Sequence, residues 1–411
     1  MKVQRVERHV INRENKNFSA IDYMCFKSKN LYNYVNYILR QSFIHTNQLP
    51  SEYTLLKKFH NRQNEVYYDL CGNTNQQCIK NLYKNWKSFF KSIKDWSKNK
   101  SKYLGKPSLP KYKDKNGRNV VVFTYSDSRI KEGYLCVNKK SQIIPIKTDV
   151  KNEDYQQVRL IPQSNCYVVE IVYNAETINL NLNKENYLSI DVGVNNFTTC
   201  YNSHDNKSFI VNGKVLKSYN QYYNKKRALL SSYLKDRRTS NRLKRLDQKR
   251  NNKVNDFMHK ASKAIVNYCV KYNIGTVVIG HNKLQKQNSD MSKQNNQKFV
   301  SISFTNFINK MKYKCENLGI DLIETEEGYT SKVDHSVLEE MKHHEKYAGK
   351  RKKRGLFKQS SGKVINADLN GAVGILRKVI NEFSFQKIVN RGFVINPVKI
   401  NVLTKDFIEN I

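Results

Sequence analysis

The run YLSIDVGVNNFTTC, residues 187–200, sets an acid, Asp191, inside an otherwise apolar strand pattern. A carboxylate in that position is costly to bury unless it is paired or bound to a metal ion. The chain must therefore build a sheet with one end that gathers charge. Gly193, two residues on, would let a ligand approach the backbone closely. Cleaving a phosphodiester with two metals makes such a demand: several carboxylates converge so that ions about 4 Å apart activate water and stabilise the leaving oxygen. The second candidate is Asp368 in INADLNGA, at the predicted start of a closing helix, where it also suits the positive end of the helix dipole.

Charge narrows what meets these acids. Lys and Arg number 73 against 35 for Asp and Glu, a net charge of +38, and a surplus that large repels itself unless a polyanion neutralises it. Nucleic acid is the expected partner. The 39% hydrophobic and 11% aromatic content fits folded domains, and 411 residues suffice for two or three of them. Cys25, Cys71, Cys78, Cys136, Cys166, Cys200, Cys269 and Cys315 are scattered, with no pair at the two-residue gap of zinc or thiol-redox sites, so reduced core cysteines are expected. MKVQRVERHV lacks the apolar run of a signal peptide, and no stretch approaches the roughly 20 apolar residues that span a bilayer. No membrane partner and a cytoplasmic location are expected.

The first block, to about residue 112, reads as helical after one short basic strand. In NLYKNWKSFFKSIKDW, Leu82, Trp86, Phe89, Ile93 and Trp96 recur at four- and three-residue steps, which predicts a core-facing stripe. Lys84, Lys87, Lys91 and Lys94 lie between them, as a solvated face or as phosphate contacts. KPSLPKYK breaks any helix and predicts a linker. NVVVFTY, GYLCV, QVRLIP and CYVVEIVY then predict a small β domain. From about 186 come hairpin-connected strands and a basic helical region over 217–272 whose Arg237, Arg238, Arg242 and Arg245 are candidate nucleic-acid contacts. Then follow the strand TVVIG, a helix ending at Gly319, the strand IDLIET, a basic excursion and a helix through ADLNGAVGILRKVI. Strands alternating with helices predict a mixed α/β sheet; their order matches that of an RNase H-like domain, a fold that the pattern alone does not choose.

IDVGVNNF, HKASKAIV, GYTSK and NADLNGAVGILRK resemble the RuvC-type core of TnpB (OrfB) proteins, the transposon-encoded RNA-guided nucleases related to type V CRISPR effectors. The resemblance is specific over about 186–380. It implies an α/β fold with all-α and all-β parts: an RNase H-like (RuvC) nuclease domain, a helical recognition block and a β-barrel wedge-like domain. The implied layout is 1–12 as the first wedge strand, 13–112 as recognition helices, 113–185 as the rest of the wedge, 186–385 as nuclease with a basic insertion at 328–364, and 386–411 as a C-terminal tail. It also implies a monomer in a ribonucleoprotein with guide RNA, target double-stranded DNA, two Mg2+ ions and a bacterial, nucleoid-associated setting. Asp191 would be the first catalytic acid and Asp368 the last.

The chain departs from that family twice. The family's middle glutamate closes the strand that is TVVIG here, and Gly280 holds its place. Either the nuclease is dead and the protein a DNA-binding repressor, or the glutamate has moved to IETEEGYTS. The strand carrying Asp191 should neighbour TVVIG, with IDLIET one strand further out, about 4.8 Å per strand, so a far glutamate must reach across and a glycine clears its way. Glu324 and Glu326 share one face and Glu327 takes the other while the strand persists, which settles nothing once it turns. Glu327 is favoured because relatives carry a glutamate just ahead of a similar Y-T-S stretch, with Glu326 next and Glu324 also open. The second departure follows GYTSK. The family's zinc ribbon has no cysteines here, and the segment offers Asp334, His335, His343 and His344, so no zinc is expected. Lys350, Arg351, Lys352, Lys353 and Arg354 would instead hold nucleic acid. His281 is read as a structural strand-end histidine, and His259 as non-catalytic. The same residues also suit a CRISPR-associated type V descendant with the same chemistry and, less well, an RNA-independent transposase.

Overall fold

The computed structural model describes residues 2–61, 64–234, 239–282, 302–353, 355–392 and 396–403. Arg237, Arg238 and Arg354 lie outside the described residues. The chain divides into two compact units, 1–176 and 177–411.

In the first unit, strand β1 (Lys2–Ile11) precedes helices α1 (Phe18–Thr46), α2 (Glu52–Asn61), α3 (Glu65–Tyr68) and α4 (Thr74–Lys98). Strands β2 (Val121–Thr124), β3 (Ser128–Lys131), β4 (Tyr134–Val137), β5 (Ile146–Lys147), β6 (Tyr155–Pro162) and β7 (Tyr167–Glu176) follow. β1 pairs antiparallel with β7 from Lys2 opposite Glu176 to Ile11 opposite Tyr167, in a sheet of order β1-β7-β6-β2. The predicted α4 stripe is core at Leu82 and Trp86, both 0% exposed, while Ile93 and Trp96 are only half-buried. Lys100 and Lys106 lie over the Trp96 ring.

KPSLPKYK breaks the helix as expected, but it is no free linker. Its backbone, with the two residues after it, is strapped along one face of α1: Asn36 Nδ2 and Arg40 donate to the Pro110 carbonyl at 3.0 and 3.1 Å, Asn33 Nδ2 donates to Lys113 O at 2.9 Å, and Lys29 Nζ to Lys115 O at 2.8 Å. A segment with two prolines cannot satisfy its carbonyls in a helix or sheet, and α1 supplies the donors instead. Asn36, wholly buried, also accepts from Trp86 Nε1 at 3.2 Å.

The second unit is built on a six-stranded sheet in the order β12-β11-β8-β9-β10-β16. β8 (Tyr187–Val192), β9 (Asn196–Asn202) and β10 (Ser208–Asn212) run antiparallel. Helices α5 (Lys214–Ser232) and α6 (Asn241–Lys271) lead to β11 (Thr276–Gly280), parallel to β8; α7 (Phe304–Asn317) leads to β12 (Asp321–Thr325), parallel to β11. The predicted order of Asp191's strand, TVVIG and IDLIET is the observed one. A small antiparallel sheet of β13 (Lys350–Lys353), β14 (Leu356–Lys358) and β15 (Val364–Asn366) occupies the basic excursion. It feeds α8 (Ala367–Arg377) and then α9 (Glu382–Asn390). The expected tail from 386 is partly built into the fold: α9 crosses that boundary, and β16 (Val398–Ile400) adds in parallel to β10.

Alternation explains why β11 is buried on both sides. Val277 and Ile279 join Leu188, Ile190, Phe257, Ile265 and Phe307 in the core under α6 and α7, whereas Val278 packs with Leu369, Val373, Ile375 and Phe385 of α8 and α9. The same period places Asp191 and Gly280 on the α8 face.

Both tryptophans of the chain lie in the first unit, so their fluorescence reports on it alone. Asn36→Ala strands the buried Trp86 N–H and leaves the Pro110 carbonyl to Arg40 alone, and a denaturant titration should show this transition weakened by about 1–3 kcal/mol.

Candidate active site

Parallel pairing sets Ile279 beside Ile190 and Gly280 beside Thr325, so the register carries Gly280 to the level of Asp191. β12 ends at Thr325, and the chain turns. Glu324 faces α7, where Lys312 pairs with it and His281 Nδ1 lies 3.3 Å away. Glu326 is exposed, pairs with Lys378 and accepts the Gly328 N–H at 2.6 Å. Glu327 turns the other way, its N–H held by Asn282 Oδ1 at 3.1 Å.

A Cβ built on Gly280 would overlap the Ile375 side chain and come 2.9 Å from Cγ of Glu327. Neither neighbour is the flexible tip of an exposed chain. The glycine marks the spot that the Glu327 side chain crosses. Gly371 does the same on α8, where a Cβ would sit 2.7 Å from Asp191 Oδ2. Gly193 lines the cleft and also serves a tight turn: the Asn196 carbonyl lies 2.6 Å from where its Cβ would be.

Asp368 stands in the first turn of α8, whose cap is Asn366: its Oδ1 accepts from the N–H groups of Asp368 and Leu369 at 2.9 and 3.1 Å. Asn196 Nδ2 donates to Asp368 Oδ2 at 2.6 Å, and Arg351 lies 3.8 Å from Oδ1. Asp191, Glu327 and Asp368 thus line one cleft of about 290 Å3, together with Asn196, Thr199, Asn282, Thr330, Ser331 and Arg351. Burial, and then the charges of Glu327 and Asp368, push the Asp191 carboxyl well above its ordinary range, with Arg351 opposing. Among the described residues no three His, Cys, Asp or Glu side chains stand close enough to grip a metal ion as they are.

The excursion that carries Arg351 is tied down by a carboxylate. Asp334, 0% exposed, accepts from Ser336 N and Oγ through Oδ1 at 3.0 and 2.6 Å, and from Ser360 N and Oγ through Oδ2 at 2.7 and 2.9 Å. One side chain staples the turn after GYTSK to the β14–β15 hairpin. α8 grips the same excursion at i, i+4 and i+7: Asn370 Nδ2 donates to Val333 O at 3.0 Å, Gly374 admits His335, and Arg377 donates to Glu339 O and Leu338 O at 2.6 and 2.8 Å.

Of the predicted nucleic-acid residues, Lys84, Lys87, Lys91 and Lys94 are exposed on α4, Arg242 and Arg245 on α6, and Lys350, Arg351, Lys352 and Lys353 on β13. They do not share one element, and only Arg351 lines the cleft. His259 lies between α6 and α7, beside Lys310 and Tyr313. Asn196, Asn282 and Thr330 were not anticipated; Asn196 and Thr330 lie in the quoted VGVNNF and GYTSK runs and Asn282 two residues past TVVIG, without revealing their role.

Residues 170–286 match the OrfB_IS605 family, described as a probable transposase, and residues 304–375 match the Cas12f1-like TNB domain. The first match holds Asp191 and Gly280, the second Glu327 and Asp368. The TnpB (OrfB) resemblance is borne out. Among solved structures, this TnpB-like chain is similar to a Cas12f1–sgRNA–target DNA complex, at 15% identity over 86% of this chain and 81% of that one, with a TM-score of 0.52. A CRISPR-Cas12f ternary complex aligns at 13% identity over 88% and 82%, with a TM-score of 0.36, too low to carry an argument. The first likeness shows a mixed α/β, Cas12f-like fold. No curated protein matches the chain significantly.

A raised folded-state pKa means that Asp191's contribution is fully present below its unfolded pKa and is lost as pH rises through the folded value. Without divalent metal, Asp191→Asn should therefore unfold at a higher temperature than wild type at pH 8, with the difference shrinking toward pH 4. Scanning calorimetry in EDTA across that range, following the transition of the second unit, measures it.

Proposed function

We propose that the chain is an RNA-guided DNA endonuclease that binds double-stranded DNA beside a short target-adjacent motif and hydrolyses it at a single RuvC-type site using Mg2+. The observation that carries this reading is the passage of Glu327 over Gly280 to join Asp191 and Asp368 in one cleft. It favours a working nuclease over a nuclease-dead repressor, because the carboxylate missing from β11 has a substitute at the same end of the sheet.

The donor set is all oxygen, and its members repel one another, as Asp191 registers. Both properties suit a hard divalent cation. Asp191, Glu327 and Asp368 would hold it, and Mg2+ bound there supplies Lewis-acid stabilisation and an activated water. Asn196 keeps Asp368 turned into the cleft, and Arg351 is placed to meet a backbone phosphate. On this reading the six-stranded sheet is the RNase H-like core, and the first unit supplies the recognition helices and wedge.

The net charge of +38, with exposed Lys84, Lys87, Lys91, Lys94, Arg242, Arg245 and the β13 cations, supports binding to nucleic-acid backbone. The sgRNA and target DNA of the Cas12f1 structure support the guide and target as partners, with base pairing selecting the sequence. One chain would act within one ribonucleoprotein.

The test is Mg2+-dependent cleavage of a plasmid library with randomised target flanks by the protein assembled with RNA from its own locus. Wild type should cut, and Asp191→Ala and Glu327→Ala should each lose at least about 10²-fold in rate while still binding target. Glu324→Ala and Glu326→Ala should cut nearly as wild type does. A wild-type protein that binds target without cutting, or an inactive Glu326→Ala beside an active Glu327→Ala, would refute the reading.

A further inference from the structure

Glu327 sits past the end of its strand, where no ladder of hydrogen bonds holds the backbone, so something else must fix it. Its N–H is taken by Asn282. Its carbonyl accepts from Thr330 Oγ1 at 2.9 Å and from Thr330 N at 3.3 Å. Thr330 is in turn anchored through its own carbonyl, which lies 2.7 Å from His335 Nε2. A carbonyl can only accept, so Nε2 carries the proton and the tautomer is fixed. Nδ1 is then an acceptor with no hydrogen-bond partner among the described residues.

That histidine is wholly buried. Burial pushes its pKa down to about 4, chiefly by desolvation, so the ring stays neutral through the pH range of ordinary activity. Gly374 of α8 exists for this contact: a Cβ there would lie 2.5 Å from His335 Nε2 and 2.7 Å from Thr330 O. The ring packs edge-on to Phe385 at 6.4 Å. Its neighbour Asp334 locks the backbone it stands on through the four bonds to Ser336 and Ser360.

We propose that His335 is a positioning residue for the cleft: through its Nε2–H it clamps Thr330, and Thr330 holds the turn that delivers Glu327 across Gly280. The proposal rests on Glu327 being a member of the reacting site. It gives the segment after GYTSK a task in the reaction that is separate from binding nucleic acid. His335 touches neither substrate nor metal and acts only through Thr330.

The test compares wild type, His335→Leu, His335→Gln and Glu327→Ala as assembled ribonucleoproteins on pre-bound target. It reads the single-turnover cleavage rate against Mg2+ concentration, target affinity, and hydrogen exchange of the 326–333 backbone. His335→Leu loses the donor and should need about tenfold more Mg2+ for half-maximal rate or cut about tenfold more slowly at saturation. Its target affinity should be unchanged and exchange over 326–333 faster. His335→Gln can place an amide N–H where Nε2 was and should recover to within about threefold of wild type. If His335→Leu matches wild type while Glu327→Ala is inactive, the positioning role is wrong and the site reading stands. If Glu327→Ala cuts like wild type, the site reading falls and takes this proposal with it. Should His335→Leu fail to fold, Thr330→Val, which deletes the hydroxyl bond to the Glu327 carbonyl, takes its place with the same outcomes.

Discussion

Helix α8 can lie where it does only because the contacts around it are made with glycine. Gly371 lets the Asp191 carboxylate rest against the helix, Gly374 admits the His335–Thr330 hydrogen bond, and Gly280, facing α8 from β11, leaves Ile375 and Glu327 room to pass. Each glycine forgoes side-chain packing and loses more chain entropy on folding. The return is a helix close enough to the strand ends for its own Asp368 to share a cleft with a strand acid and a loop acid. Gly280 is therefore less a lost ligand than the clearance for a relocated one.

The excursion between β12 and α8 obeys a related constraint. A strongly basic segment cannot bury much apolar surface; Phe357 and Ile365 form a small cluster with Ala367 of α8, and Val333 is buried as well. It is fastened instead by the hydrogen bonds of a few charged side chains. Asp334 spends both carboxylate oxygens on two serines, Glu339 accepts from Asp334 N and Ala348 N, each at 2.7 Å, and Arg377 binds two carbonyls. A buried carboxylate with four donors stays charged: despite burial its pKa is held below the usual range by those hydrogen bonds. Fixing this excursion also fixes Arg351 at the mouth of the cleft.

Much of this was legible in the residues. An acid inside LSIDVGV marks a strand end that must serve chemistry, and the continuous apolar run in TVVIG marks a strand buried on both faces. The neighbour relation of β8, β11 and β12 came from the RNase H-like sheet that the family resemblance implies, and the observed strand order agrees with it. The choice among Glu324, Glu326 and Glu327 was not legible, because parity stops informing once β12 ends at Thr325; there the path is set by Asn282 and Thr330, contacts 45 and 3 residues distant. KPSLPKYK announced a break, but its anchoring needs donors on α1 some 70–86 residues earlier. β16 is three residues long and its pairing with β10 spans the whole unit, so no local pattern declares it. Asp334 looked like a spare polar residue where a zinc ligand would stand, since its serine partners carry no signature of their own.

The claim at the centre of this account is that Glu327, arriving over Gly280, shares a divalent cation with Asp191 and Asp368. Anomalous diffraction from crystals of the protein soaked in Mn2+ addresses it directly. The account predicts a Mn2+ peak in the cleft with carboxylate oxygens of Asp191, Glu327 and Asp368 as ligands. A peak held by Glu326 or Glu324 in place of Glu327, or one from which Glu327 is turned away, would contradict it.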